Sequence, residues 1–338
     1  MIVRDMRAHS SFADVQERGC RALLLIAARG TTDNKVQVAL ARGIEAVVAS
    51  MHAHLGVADI QKTGCGALLH ILLNADHQTK VALAGGIEAV VAAMKAHLAV
   101  IDVQKLGCVV LHKIAMNADH QAKVARAGGI EAAVAAMKAH LAVIDVQKNG
   151  CVMLLTIVEN ADNKAKVAWA GGIEAVVAAM KAYPRVADFQ EIGCIALHNI
   201  AENAVNDVKV AVAGGVETVA AAMKVHVGHA GLQSNGCQVL CTVAAGNQVM
   251  VGTAGVIEVV VAAMKAHPGV ADVQKYGCLG LGNIARTADN QIKVAVAGGI
   301  EAVVDAMKAH VSVADVQKYG CLALGNIAAV NADNKVKA

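Results

Sequence analysis

The chain has 338 residues; 56% of them are hydrophobic, yet only 2% are aromatic and two are proline. Its 30 Lys and Arg nearly balance 27 Asp and Glu, for a formal charge of +3, and its mean hydropathy is +0.50. That balance lacks the basic excess or stripe of a nucleic-acid binder, so no nucleic-acid partner is expected. A core of Ala, Val, Ile, Leu and Met favours stacked helices over a sandwich or barrel. Charged or polar residues break every apolar stretch short of the ~18 residues that a spanning helix needs. Arg4, Asp5 and Arg7 interrupt Met1–Val3 where a signal peptide would begin. No membrane insertion is expected, and a cytoplasmic location is, with the nucleus as an alternative.

In chain order, two signals recur. A Gly-Cys pair places Cys at 20, 65, 108, 151, 194, 237, 278 and 321, and a Gly-Ile-Glu-like phrase places Ile or Val at 44, 87, 130, 173, 216, 257 and 300. Each Ile or Val stands 21 residues before the next Cys, while the return from Cys to Ile varies between 20 and 24. The usual period is 43. Units of this kind bury a core only by stacking. Residues 1–30 are a partial unit, starting at the equivalent of a late second helix. Units follow at 31–75, 76–118, 119–161, 162–204, 205–245, 246–288 and 289–331, and 332–338 begin another. All of 1–338 is therefore expected to be one solenoid. Both length changes lie between Cys and Ile, where a surface loop is expected to absorb them.

The unit at 289–331 predicts three helices. Asp289 and Asn290 suit an N-cap, and Gly298-Gly299 can close a first helix of about two turns in a left-handed turn. A second runs from Ile300 to about His310, with Ile300, Val303, Val304 and Met307 on one face. After a loop that carries Pro184 and Pro268 in two copies, a third runs from about Asp315 to Ala329, with Val316, Cys321, Leu324 and Ile327 inward.

Short, medium and long helices within about 43 residues make an armadillo-type unit, with two-helix HEAT the near competitor. The wording agrees. Leu197-His-Asn-Ile-Ala201, Leu281-Gly-Asn-Ile-Ala285 and Leu324-Gly-Asn-Ile-Ala328 resemble the Leu-x-Asn-Ile-Ala phrase that ends armadillo third helices, and Ala-Gly-Gly-Ile resembles the family's break between helices one and two. The resemblance covers nearly the whole chain. It implies an all-α fold: a right-handed α-α superhelix of about eight three-helix repeats, with third helices lining a concave groove.

In peptide-binding members of that family, the Asn of the phrase holds peptide backbone and a Trp one turn earlier shapes pockets. The Asn matches at Asn199, Asn283 and Asn326, whereas Leu25, His70, Lys113, Thr156 and Thr242 stand there in other copies. The Trp position holds Arg21, Gly66, Val109, Val152, Ile195, Gln238, Leu279 and Leu322, and the single Trp169 lies in a first helix. Tyr276 and Tyr319 stand one turn earlier still, and Arg286 one turn later. The candidate site is therefore Asn199, Tyr276, Asn283, Arg286, Tyr319 and Asn326, rich in residue types that anchor interfaces.

The remaining periodic residues read as structural. One Cys per unit places sulfurs about 8–10 Å apart, too far for disulfides, so they read as buried hydrophobes in a reducing compartment. Cys237 and Cys241 share a helix face, but no His lies in that turn, and no metal is expected. His9, His54, His97, His140, His226, His267 and His310, with Tyr183 in the remaining copy, sit at the end of helix two, where an imidazole can cap its terminal carbonyls. The Met of Met-Lys-Ala-His reads as core. Lys95, Lys138, Lys181, Lys224, Lys265 and Lys308, and the third-helix row Lys62, Lys105, Lys148, Lys275 and Lys318, read as a solvated face.

No phosphate loop, nucleophile elbow or metal spacing appears, so neither an enzyme nor a cofactor is expected. The leading expectation is a scaffold that binds a protein or extended peptide along the groove. The alternative is an architectural segment of a longer chain or of an end-to-end homo-oligomer.

Overall fold

Good helix formers dominate the chain between short Gly-, Asn- and His-containing corners, and the computed structural model is helical accordingly. It describes residues 1–29, 31–40, 42–202, 205–252 and 255–329, and among these all regular structure is helical. The chain divides into two compact units, Met1–Ala175 and Val176–Ala338. No helix of the described residues is long and apolar enough to cross a membrane.

The first unit holds α1 (Ile2–Ala8), α2 (Ala13–Arg29), α3 (Thr32–Leu40), α4 (Gly43–Ala53), α5 (Ala58–Ile71), α6 (Ala75–Leu83), α7 (Gly86–Ala96), α8 (Ile101–Ala115), α9 (Ala118–Arg126), α10 (Gly129–Ala139), α11 (Ile144–Ile157) and α12 (Ala161–Trp169); α13 (Gly172–Ala182) begins in it. The long helices α2, α5, α8 and α11 lie side by side, and α1, α4, α7 and α10 form a second row against them. The second unit continues with α14 (Ala187–Ala201), α15 (Asn206–Val212), α16 (Gly215–Val225), α17 (Ala230–Ala244), α18 (Gln248–Val251), α19 (Val256–Ala266), α20 (Ala271–Ile284), α21 (Ala288–Val296), α22 (Gly299–Ala309) and α23 (Ala314–Ala328). Here α14, α17, α20 and α23 make the long row, and α16, α19 and α22 the second. This is an α-solenoid arrangement of short, medium and long helices.

After α1, the second helices all span 11 residues and follow a left-handed residue. At Gly128 φ is +88°, a conformation open to glycine; in the first copy Arg42 adopts it at φ +59°. Of the stripe expected on α23, Val316 and Ile327 are fully buried, whereas Cys321 is exposed and Leu324 half-buried; at the same positions of α20, Val273, Cys278, Leu281 and Ile284 are all fully buried. All nine cysteines are free thiols, and all but Cys321 are buried. Burial alone pushes the thiols of Cys65 and Cys108 up to about 12.

Two pairings join each second helix to its third. The Gln of the Asp-Val-Gln phrase turns back round the corner and donates to two terminal carbonyls of the second helix. Gln104 Nε2 lies 2.9 Å from Met94 O and 2.9 Å from His97 O, and Gln274 Nε2 lies 2.9 Å from Met264 O and 2.8 Å from His267 O. The same two bonds recur from Gln16 to Gln317. They answer the orphan Met carbonyl that the helix end leaves and add a second bond to the His carbonyl, which also accepts from the turn, as His97 O does from Val100 N at 2.9 Å. The glycine before each Cys admits the Met of that second helix: a Cβ on Gly107 would fall 2.5 Å from Met94 Cγ.

Four expectations need correction. The corner histidines do not cap their own helix, whose carbonyls the glutamines already hold. Instead His97 Nε2 meets Leu55 O at 2.6 Å and His267 Nε2 meets Val227 O at 2.6 Å, each one residue past the preceding corner. The first helix at 289 is capped by Thr287, without a side-chain bond. Asp289 falls in its first turn, and buried Asn290 donates to Ile284 O and Gln248 O, each at 3.0 Å. Asparagine does cap where it stands one residue before Ala-Asp, as Asn117 and Asn160 do. The second-helix lysines are not merely solvated. Lys95 Nζ would lie 2.8 Å from a Cβ on Gly128, so it reaches the left-handed corner of the next triplet. Finally, helices rather than a loop absorb the length changes. The longer copy extends α2 to 17 residues, and the shorter one trims its first helix, α18, to four.

Candidate functional site

The six predicted site residues all belong to the second unit, on α14, α20 and α23 and at the end of α20. Tyr276, Asn283, Tyr319, Asn326 and Asn199 are half-buried and Arg286 is exposed. Because α20 packs on α23, their Tyr and Asn residues come to adjacent helices; Asn199 stands two long helices before Asn283.

The asparagines also hold the helices together. Asn283 Nδ2 donates to Cys241 O at 3.0 Å, and Asn326 Nδ2 donates to Gly282 O at 2.8 Å. One amide hydrogen is thus spent on the preceding long helix, leaving the other and the carbonyl oxygen for a ligand. Where Thr replaces Asn, the bond shifts to a side chain. Thr156 Oγ1 lies 2.8 Å from His112 Nδ1, and Thr242 Oγ1 lies 3.2 Å from His198 Nδ1.

Sequence reasoning missed a polar chain across α14, α17 and α20. Gln238 stands where the family resemblance expects Trp. Its amide nitrogen donates to His198 Nε2 at 2.9 Å and to Tyr276 Oη at 3.2 Å. With the Gln238 amide in this orientation His198 Nε2 is the acceptor, and the Thr242 hydroxyl donates to Gln238 O at 2.9 Å. Glu202 Oε1 stands 3.6 Å from His198 Nε2. The sequence signal was a run of polar residues, at 198, 238 and 242, on one inward-turned stripe.

Charge along the long helices is largely paired. Lys275 Nζ lies 2.8 Å from Asp315 and Lys105 Nζ lies 3.0 Å from Asp145, each crossing to the next long helix. Lys275 holds the Asp315 carboxyl below its ordinary range. Burial raises the Tyr276 hydroxyl, so it stays protonated and able to donate. Lys275 and Lys318 also lie 5.1 and 5.2 Å from the ring centres of Tyr276 and Tyr319. Arg286 Nη1 donates to Ala245 O at 3.4 Å. This surface offers aromatic faces, amide groups and a guanidinium, a set suited to holding backbone and planar groups. Trp169 lies apart from these residues in the sequence, 80% exposed at the end of α12.

Neither a protein-family model nor a curated protein matches the chain. Among solved structures, one described as an engineered protein aligns at 24% identity over 85% of this chain and 97% of its own, with a TM-score of 0.45. A chain from a structure of a conserved phosphorylation switch that controls the interaction between cadherin and beta-catenin aligns with a TM-score of 0.59. That match has 14% identity and covers 99% of this chain and 70% of the other. The second likeness bears on fold: it is a likeness between helical solenoids.

Proposed function

We propose that the chain is a non-enzymatic, armadillo-type interaction scaffold that binds a protein or an extended peptide along its third-helix surface. The observation that carries this reading is the clustering of Tyr276 and Asn283, and of Arg286 just past their helix, with Tyr319 and Asn326 on the adjacent long helix. Tyr and Arg are enriched among interface residues that dominate affinity: Tyr buries a large ring with few rotors to freeze, and Arg presents a planar guanidinium that stacks and donates in a fork. The cadherin and beta-catenin interaction named for the similar fold supports a protein partner here as well. The buried, unpaired thiols fit a reducing, cytoplasmic or nuclear setting.

A peptide array probed with the 338-residue chain tests this. Tyr319→Ala and Arg286→Ala remove exposed or half-exposed contacts and leave both Asn bonds in place; each is expected to weaken captured peptides about tenfold or more. Asn283→Ala and Asn326→Ala are expected to weaken them too, with a parallel loss of stability. Binding unchanged in all four variants would sink the groove assignment.

A further inference from the structure

Two contacts recur between successive helix triplets at fixed positions, and a third is made between the last two long helices. The first is the corner histidine, which donates to the carbonyl one residue past the previous corner, as His54 does to Ser10 O at 2.7 Å and His310 to Pro268 O at 2.7 Å. The second is the ion pair from a long-helix lysine to the aspartate that opens the next long helix, Lys105 to Asp145 and Lys275 to Asp315. The third is a close approach of small residues: a Cβ on Gly282 would meet Ala323 Cα at 3.1 Å.

Each contact leaves one unused half on the α1–α2 face and the other on the α22–α23 face. His9 occupies the corner and is exposed, while Val311, the residue past the last corner, is 75% exposed and its carbonyl accepts nothing. Asp14 and Lys318 hold the positions of Asp315 and Lys275; both are exposed, and neither makes an ion pair. Ala22 holds the position of Ala323, and Gly325, in the position of Gly282, has nothing within 4 Å of a Cβ. Apolar surface is open on both faces. Ile26 is 37% exposed although Ile71, Ile114 and Ile284 at its position are fully buried, and Cys321 is exposed although Cys278 is fully buried.

We propose that a second copy of this chain docks head to tail, the α22–α23 face of one copy against the α1–α2 face of the other. In that register His9 donates to the Val311 carbonyl, Lys318 pairs with Asp14, and Ala22 closes on Gly325. The two faces differ, so the interface is heterologous and each added copy presents the same pair of faces again. Association therefore rises stepwise with concentration and does not stop at a two-fold dimer.

Sedimentation velocity of the 338-residue chain, from micromolar to near-millimolar concentration, reads this directly. The wild-type chain is expected to shift to larger species as concentration rises. Lys318→Glu and Asp14→Lys each juxtapose like charges across the interface and are expected to weaken association about tenfold or more. An equimolar mixture of the two variants restores an opposite-charge pair at every junction, so it is expected to associate like the wild type. Both positions are exposed, and circular dichroism checks that the variants keep their helices. A wild-type chain that stays monomeric throughout overturns the proposal, as do single variants that associate as tightly as the wild type or a mixture no larger than its parts.

Discussion

Gly277 stands directly against Met264: a Cβ added to the glycine would lie 2.6 Å from Met264 Cγ and 2.7 Å from its sulfur. The clash involves Cγ and the sulfur, in the middle of the Met side chain, so rotating only the terminal methyl does not relieve it. Gly277→Ala is expected to cost about 1–3 kcal/mol by overpacking, despite the better helix propensity of Ala. Urea unfolding of Gly277→Ala, Met264→Ala and the double variant checks it. A cost of the double variant equal to the sum of the singles would refute the pairing.

Gln274 carries the two bonds that close the end of α19. Replacing it with Leu keeps most of its volume and strands the Met264 carbonyl, while His267 O keeps its bond from Val270 N at 3.1 Å. The expected loss is about 1–3 kcal/mol, since unmade buried bonds cost more than made ones return. Gln274→Leu should lower the urea midpoint with little change in slope, and Gln317→Leu, in the less buried last copy, should lower it less.

Arg42 occupies the left-handed corner that glycine holds in the other described copies. The strain of a side chain there exceeds the entropy that glycine adds to the unfolded state, and the exposed Arg42–Glu45 pair at 3.3 Å is worth little. Arg42→Gly is therefore expected to stabilise the chain by about 0.5–1 kcal/mol. Calorimetry reads it as a raised Tm; a lowered Tm contradicts it.

Stability should have a plateau bounded on both sides. The thiols of Cys65, Cys108, Cys151 and Cys194 are raised from 9.0 to about 12 by burial. The unfolded chain therefore releases those protons first as pH climbs. Their contribution is complete below about pH 9 and is lost between 9 and 12, at up to about 1.4 kcal/mol per thiol per pH unit. On the acid side, burial lowers His70, His112 and His120 below 6.5. Their contribution is complete above 6.5 and is lost as pH falls through the folded values. Urea midpoints from pH 4 to 11 test both edges. In the folded chain at neutral pH, diluted until it is monomeric, a thiol reagent should label Cys321 at once and the other eight only on unfolding.

The sequence carried much of the apolar framework, because burial follows the helical period: Val316 and Ile327 were placed inward from spacing and are fully buried, while Cys321 and Leu324, on the same stripe of the last long helix, are not. Polar partners were another matter. The glutamine recurs as plainly as the cysteine, but its acceptors lie seven and ten residues back round a corner, and no helical period links them. The histidine row was visible and its partner was not, since His97 bonds a carbonyl 42 residues away. On the candidate surface the family-like asparagines stood out. The His198, Gln238 and Tyr276 chain did not, because it joins three long helices through residues that match no phrase.

The corner histidine also constrains how such a chain can change its length. Its acceptor is the backbone carbonyl one residue past the preceding corner, so almost any residue can supply it: Ser10, Leu55, Pro184 and Val227 all do. A gene duplication or excision of one whole period therefore puts a histidine opposite a competent acceptor every time, whatever sequence lies on either side. A cut of half a period separates donor from carbonyl, glutamine from helix end and glycine from methionine at once. Growth and shrinkage by whole modules is thus nearly silent to folding, and that leaves the exposed residues of each module free to diverge.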